Sequence, residues 1–201
     1  MKSTSIFVGV AALIIIILVA FSINNKTKKE GSIVPNQSTT NALGEKSKKF
    51  DKFPGVFSAE ELKNKVALIK TAKGDIQIEL FGEEAPKAVS NFIFLSKQGF
   101  YDRLTFHRRE EGFVIQGGDP NGDGTGSPGY EFEDETVTRN YDRGIVAMAN
   151  SGPNTNGSQF FIMLATNDLP KKYTIFGKVI SGIDVVDKIK IGDVMEKVGV
   201  N

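Results

Sequence analysis

Hydrophobic and polar positions divide the chain into distinct stretches. Residues 6–23 form a continuous run of 18 residues without a charge. As a helix this run would be about 27 Å long, which just reaches across the hydrocarbon core of a bilayer. Residues 24–52 are mostly polar and lack apolar periodicity, whereas apolar positions recur regularly from residue 65 onward. The pattern predicts a short tail at 1–5, a membrane anchor or signal segment at 6–23, a flexible linker at 24–64 and a folded domain at 65–201.

The apolar run at 6–23 has two main interpretations. An uncleaved helix would anchor the protein in a membrane, with the folded domain on the extracytoplasmic side. Ala20 and Ser22 flank Phe21 at the spacing of a signal-peptide cleavage site, so a secreted domain is the alternative. A buried helix of a soluble protein is a third interpretation. Lysines lie on both sides of the run, which leaves the orientation undecided by charge alone.

Three helices are predicted. Ser58-Ala59-Glu60-Glu61 has the form of a capping box, which predicts a short helix over 58–65 within the linker. Pro86 suits the first turn of a second helix and Gly99 suits its end. Four residues of that helix fall on one face at helical spacing: Val89, Phe92, Ile93 and Ser96. Residues 184–189 predict a third, short helix.

The other apolar segments predict short strands. Residues 66–71 are rich in β-formers, Lys73-Gly74 marks a turn, and the alternation over 76–80 completes a hairpin. Further apolar runs are separated by Gly, Asn, Asp and Pro; they lie at 104–108, 112–117, 144–149, 158–164, 174–180 and 195–200. Many strands with few helices and no regular strand–helix alternation predict a mainly β fold, either an antiparallel sheet or a closed barrel.

Composition excludes several kinds of chemistry. The chain has no cysteine, which excludes thiol catalysis, disulfides and thiolate metal sites. It has one histidine, which excludes multi-histidine metal sites. Residues 65–201 carry 16 basic and 19 acidic side chains, so we expect no nucleic-acid partner, because binding to phosphates requires a basic surface.

The densest group of chemically useful residues is Phe106-His107-Arg108 followed by 112–119. It combines a permanent cation, an apolar wall and an amide side chain without a strong nucleophile. His107 could be a general base, but no serine is marked as its partner, and a hydrogen-bonded supporting role is favoured. Arg108 and Arg109 would point to opposite faces of a strand, so one faces a pocket and the other is expected to be solvated. Glu110 and Glu111 are interpreted as an exposed charge run.

Two further motifs are weaker. Residues 124–129 match G-x-G-x-x-G, but Pro128 argues against the helix that a dinucleotide loop requires, so a surface loop is favoured. Asp119, Asn121 and Asp123 match the start of a calcium loop, but Tyr130 stands where the bidentate glutamate belongs. A calcium-responsive surface module therefore stays as one alternative function.

These residues resemble the cyclophilin family of peptidyl-prolyl isomerases, in a bacterial-like form. The resemblance rests on 106–108, 112–119 and above all on the run 148–161, with supporting matches at 85–87 and 176–179. It covers about 65–200 and implies an eight-stranded antiparallel closed barrel capped by two helices. It also implies an enzyme that speeds rotation about X–Pro bonds in client proteins, assists their folding, and uses neither cofactor nor metal.

The resemblance also implies roles for individual residues. The catalytic residue is Arg108, and the proline pocket falls on Phe113, Phe161 and Leu169, with Val114 beside them. Polar substrate contacts fall on Gln116, Ala149, Asn150 and Gln159. Substrate-binding positions are completed by Phe106, His107 and Tyr173. We expect a monomeric domain whose partners are proline-containing peptide segments, together with a membrane through residues 6–23.

The chain departs from the family pattern around this site. Arg109-Glu110 replaces two aliphatic residues and Glu111 replaces a proline. Asp168 and Tyr173 stand where a tryptophan and a histidine are frequent at the pocket edge. These changes put cyclosporin affinity and substrate choice in doubt. They also leave open a proline-peptide binding or chaperone module with little or no turnover.

Overall fold

The computed structural model describes residues 48–201. The predicted tail at 1–5, the anchor or signal at 6–23 and the linker up to residue 47 lie outside the described residues. In the described part of the chain, no helix has the length and apolar character needed to cross a membrane.

Eight strands form one sheet in which all neighbours pair antiparallel. In chain order they are β1 (Val66–Thr71), β2 (Gly74–Leu80), β3 (Phe106–Glu110), β4 (Val114–Gly117), β5 (Ile145–Met148), β6 (Phe160–Met163), β7 (Ile175–Ser181) and β8 (Lys197–Val200). Their spatial order is β3-β4-β6-β5-β7-β2-β1-β8. The predicted hairpin is confirmed, because β1 pairs with β2 and the apolar residues of β2 are buried while Gln77 and Glu79 are exposed.

The sheet is open between its two edge strands, β3 and β8. The residues that precede these two strands meet at an isolated bridge between Thr105 and Val194. The Phe106 N–H donates to the Asp193 carbonyl at 2.9 Å, and the Phe106 carbonyl accepts from the Gly192 N–H at 2.9 Å. The loop before β8 thus occupies backbone groups of β3 that β8 would need. The prediction of a closed barrel is wrong, and the fold is a half-barrel sheet with helices.

Three helices accompany the sheet: α1 (Ala59–Leu62), α2 (Pro86–Lys97) and α3 (Ile183–Lys188). The capping box of α1 is confirmed, since the Ser58 hydroxyl accepts from the Glu61 N–H and the Glu61 carboxylate accepts from the Ser58 N–H at 3.0 Å. The four residues predicted to share one face of α2 are all buried. Phe92 of this face packs against Phe160 and Phe176 of the sheet, at ring-centroid distances of 5.6 and 5.4 Å.

The buried apolar side chains form two clusters. The larger cluster includes Phe92, Phe106, Phe160 and Phe176. The smaller cluster includes Val114 and Phe161, with further side chains partly buried against it. Phe160 and Phe161 therefore face opposite sides of β6, as strand alternation predicts. The smaller cluster forms the apolar part of the candidate site.

Residues 48–64, predicted as the end of the linker, lie against the domain. Phe50, Phe53 and Phe57 pack against the larger cluster. The Phe50 N–H donates to the Pro128 carbonyl at 2.8 Å, and the Phe50 ring lies 5.0 Å from that of Phe94. The spacing of these phenylalanines is that of a helix, but Pro54 and Gly55 interrupt it, so the sequence gives no clear element before residue 65 and the domain boundary is predicted there.

Candidate active site

A β-bulge in β3 orients the candidate catalytic arginine. Phe106 lies opposite Gly117 and Arg108 lies opposite Gln116, so His107 is the extra residue between them. Neighbouring residues of β4 face opposite sides of the sheet, and the bulge therefore sends Phe106 and Arg108 to opposite faces. Phe106 is fully buried in the larger cluster, whereas Arg108 is exposed. The structure brings Arg108 to the face of the smaller cluster and leaves Phe106 in the core behind it.

The Arg108 guanidinium contacts three side chains. One terminal nitrogen donates to the Gln116 side-chain oxygen at 3.2 Å. The other donates to the Glu110 carboxylate, with which Arg108 forms an ion pair. The guanidinium carbon lies 5.9 Å from the centroid of the Phe113 ring. A charged group with fixed, planar donors thus stands at the edge of an aromatic ring.

A row of side-chain amides continues from Arg108 across the sheet. The Gln116 amide nitrogen donates to the Gln159 side-chain oxygen at 2.9 Å. The Gln159 amide nitrogen in turn donates to the carbonyls of Gly124 and Gly126, at 3.0 and 2.9 Å. Each side chain is oriented by the next, and the last is held by backbone. This chain of contacts fixes which atom of Gln116 faces Arg108.

The apolar part of the site combines two buried and four partly buried side chains. Val114 and Phe161 belong to the smaller cluster, and Phe113, Ala149, Leu169 and Tyr173 pack against it. The rings of Phe161 and Tyr173 meet edge to face at 5.6 Å. Their arrangement offers an apolar surface beside the Arg108 guanidinium, suited to an aliphatic ring.

Tyr141 supports this surface and was missed by sequence reasoning. Its hydroxyl donates to the Tyr173 carbonyl at 2.9 Å and accepts from the Tyr173 N–H at 3.1 Å. These bonds fix the backbone that presents Tyr173. The two residues lie 32 positions apart in the chain, and no local pattern links them.

A polar cavity of about 200 Å³ adjoins the amide row. Its lining includes Gln116, Ala149, Asn150 and Gln159, all of them predicted substrate contacts. The Asn150 amide donates to the Lys172 carbonyl at 2.9 Å, and the Ala149 N–H donates to the Gln159 carbonyl at 3.0 Å. The loop 124–127 and Glu131 also line the cavity. Sequence reasoning weighed nucleotide binding for that glycine-rich loop and favoured a surface loop, and so missed this placement.

His107 does not have the hydrogen-bonded role predicted for it. Both ring nitrogens are buried and find no hydrogen-bond partner within residues 48–201. Burial lowers the pKa of His107 below its ordinary value of 6.5, and the negative charges of Asp119 and Asp123 only partly oppose this. The imidazole is therefore a neutral spacer in the bulge near neutral pH.

Arg109 also differs from expectation. Its side chain is 18% exposed, against 47% for Arg108, so the prediction of a solvated Arg109 is wrong. It donates to the Ile189 carbonyl at 2.9 Å and to the Glu111 carboxylate at 2.7 Å. Because Ile189 directly follows α3, this arginine ties β3 to the end of that helix. Glu110 and Glu111 are exposed, as predicted.

The acidic loop at 119–124 is organised around its own first carboxylate. Asp119 is buried, and its oxygens accept from the backbone N–H groups of Asn121, Asp123 and Gly124. Among the described residues, no group of three or more acidic, histidine or cysteine side chains is arranged to hold a metal ion.

This fold is that of a family of peptidyl-prolyl isomerases. Residues 66–200 match the family model described as cyclophilin type peptidyl-prolyl cis-trans isomerase/CLD. The match covers more than half of the chain, and the chain belongs to this family. It is an isomerase enzyme.

Relatives agree with this assignment. A peptidyl-prolyl cis-trans isomerase of Helicobacter pylori is 50% identical over 147 residues, which cover 69% of this chain and 89% of the relative. Peptidyl-prolyl cis-trans isomerase 9 of Schizosaccharomyces pombe is 51% identical over 138 residues, but the chain spans only 23% of its length. The crystal structure of a cyclophilin-type isomerase of Cryptosporidium parvum is 38% identical, with a TM-score of 0.63, covering 68% of this chain and 97% of the other. A second structure of that protein, obtained in the presence of the dipeptide Ala-Pro, has a TM-score of 0.62.

Proposed function

We propose that Arg108 accelerates rotation about X–Pro bonds by stabilising the twisted amide. The planar amide resists rotation with a barrier of about 18–20 kcal/mol, because resonance is lost as the bond twists. In the twisted state the proline nitrogen regains lone-pair density and becomes a better hydrogen-bond acceptor. A guanidinium directed at that nitrogen binds the twisted state more strongly than the planar one, which is the condition for catalysis.

The rest of the site would hold the peptide for this step. Phe113, Phe161 and Leu169 would bind the pyrrolidine ring, with Val114 and Tyr173 bordering it. Gln116 and the backbone of Asn150 would hold the flanking carbonyls. The observation that carries the proposal is the position of the Arg108 guanidinium, held by Gln116 at 3.2 Å and next to the Phe113 ring. The proposed partners are proline-containing segments of client proteins, and the Ala-Pro dipeptide used with the Cryptosporidium relative supports this substrate class.

The experiment compares turnover and binding for wild type and Arg108→Ala with one proline tetrapeptide. We expect a loss of about 100-fold in kcat/KM, typical of removing an electrostatic donor from a reaction centre. Peptide affinity, measured by titration, should change far less, because the apolar surface remains. A variant as fast as wild type would contradict the proposed role. Binding without turnover in the wild type would instead favour a proline-peptide binding module.

We further propose, from residues 6–23 alone, that the enzyme is anchored in a membrane with its folded domain on the extracytoplasmic side. The support is the uncharged run of 18 residues. Mass spectrometry of the mature protein tests this. An intact segment 6–23 supports the anchor, and an N-terminus after Ser22 indicates a cleaved signal.

A further inference from the structure

Two side chains bind the Arg108 guanidinium, and they differ in how firmly they are themselves held. Gln116 binds one terminal nitrogen and is itself oriented by Gln159 and two backbone carbonyls. Glu110 binds the other terminal nitrogen and is half exposed, with 55% of its side chain accessible. An arginine side chain has many rotamers, and its donors act in catalysis only when they are held in the productive orientation.

The backbone around Glu110 places its side chain next to Arg108. Residues two apart in a strand share a face, which places Glu110 beside Arg108. Glu110 is the last residue of β3, and its carbonyl accepts from the Phe113 N–H at 3.0 Å. Gly112 between them has a φ of +67°, a left-handed conformation that closes this turn. One turn therefore sets both Glu110, which holds the guanidinium, and Phe113, whose ring lies beside it.

The neighbouring pair, Arg109 in β3 and Glu111 in the turn that follows it, provides a comparison. Arg109 and Glu111 form the equivalent contact on the opposite face, where Arg109 also reaches Ile189. Both pairs consist of an arginine and a glutamate two residues later. They differ in what the arginine faces: the candidate site for Arg108, and the end of α3 for Arg109.

From this geometry we propose that Glu110 is a positioning residue for catalysis. Its carboxylate restricts the Arg108 guanidinium to the plane set by Gln116, so that its donors face the bound X–Pro bond. The inference rests on the proposed function of Arg108. Because both partners are about half exposed, the ion pair contributes little to the stability of the fold. We therefore expect its loss to change turnover rather than the free energy of unfolding.

The test uses the full chain and the series wild type, Glu110→Gln and Glu110→Ala, with Glu111→Ala as the matched control. Turnover of an uncharged proline peptide gives kcat and KM, and ¹⁵N relaxation gives the order parameter of the Arg108 Nε–H. We expect kcat to fall about two- to fivefold in Glu110→Ala, the range that an exposed ion pair supports, with KM nearly unchanged. Glu110→Gln, which keeps an acceptor, should lie between. The Arg108 order parameter should fall in the same sequence, while Glu111→Ala matches wild type in both measurements.

Equal or higher kcat in Glu110→Ala would overturn the inference, as would an unchanged Arg108 order parameter. A loss of the same size in Glu111→Ala would also overturn it, since the effect would then be one of general charge. The failure of the proposed function is distinguishable, because it would appear as wild-type turnover in Arg108→Ala, whatever the order parameters show.

Discussion

His107 occupies the bulge that turns Arg108 toward the site, and it does so without a hydrogen bond from its ring within residues 48–201. At the residue scale, the site depends on such local departures from regular geometry. A regular strand would place Phe106 and Arg108 on the same face. The bulge places Phe106 in the core and Arg108 at the surface. The sequence pattern alone does not indicate this bulge.

The partly buried imidazole of His107 predicts that the protein becomes less stable in acid. The pKa of His107 is lowered in the folded protein, so the unfolded chain binds the proton more tightly. The free energy of unfolding should therefore decrease as the pH falls below about 6.5, while above this value the contribution vanishes. In His107→Gln the free energy of unfolding should decrease less steeply as the pH falls.

Denaturant unfolding of wild type and His107→Gln between pH 5 and 8 measures the difference. His107 is the chain's single histidine, so the comparison has no second imidazole to confuse it. Burial raises the pKa of Glu135, which acts in the opposite sense, but this residue is common to both proteins and cancels in the difference. Parallel pH curves would contradict a neutral His107 with buried ring nitrogens.

At the scale of elements, α2 has an N-terminus that is capped from a distance. Ala85 at its N-cap offers no side-chain bond. The Glu135 carboxylate instead accepts from the Lys87 and Ala88 N–H groups, at 2.8 and 2.9 Å. A carboxylate there both satisfies free donors and complements the helix dipole. The N-terminus of α2 is thus capped by a side chain from the loop between β4 and β5.

Glu135→Ala should lower the free energy of unfolding by about 1–2 kcal/mol, the usual cost of losing a helix cap. Glu133→Ala is the matched control. The Glu133 side chain is 67% exposed and pairs with the Lys87 ammonium at the surface, so its change should stay within about 0.5 kcal/mol. Urea unfolding of both variants measures the two values. Equal losses would indicate a general effect of negative charge near α2.

The elements also show where sequence reasoning succeeds. Apolar runs and turn residues located the strands to within about two residues at each end, and the predicted buried face of α2 was correct. Both follow from the spacing of apolar residues that are close together in the chain. The cap at Glu135 and the support of Tyr173 by Tyr141 join residues distant in the chain, and no local pattern encodes them. The open sheet depends on which backbone groups of Phe106 are free, and this too is set by tertiary contacts. Arg108 and its amide neighbours were found through the resemblance, whereas the Arg108–Glu110 ion pair was not.

At the scale of the whole molecule, the domain includes the segment that leads into it. Phe53 stacks on Phe132 at 5.1 Å and meets Tyr130 at 6.1 Å, and both partners belong to the larger cluster. The Phe57 N–H donates to the Ser90 hydroxyl of α2 at 2.9 Å. The stability of the isomerase domain therefore depends on residues before β1.

Phe53→Ala should lower the free energy of unfolding by about 2 kcal/mol, somewhat less than the loss of a fully buried aromatic ring. Val56→Ala in the same segment is the control. Val56 is 53% exposed, so its truncation should have almost no effect. Chemical denaturation of the full chain decides this. A negligible change for Phe53→Ala would mean that the segment does not stabilise the domain.

The most direct test of the central claim compares Arg108→Lys with Arg109→Lys. Both changes keep the positive charge and remove the planar guanidinium, in adjacent residues of one strand. Isomerisation of a proline tetrapeptide, followed by a protease-coupled assay or by exchange NMR, gives kcat/KM. We predict a loss of at least about tenfold for Arg108→Lys and less than about twofold for Arg109→Lys. Wild-type turnover in Arg108→Lys, or equal losses in the two variants, would contradict the assignment of the chemistry to the Arg108 guanidinium.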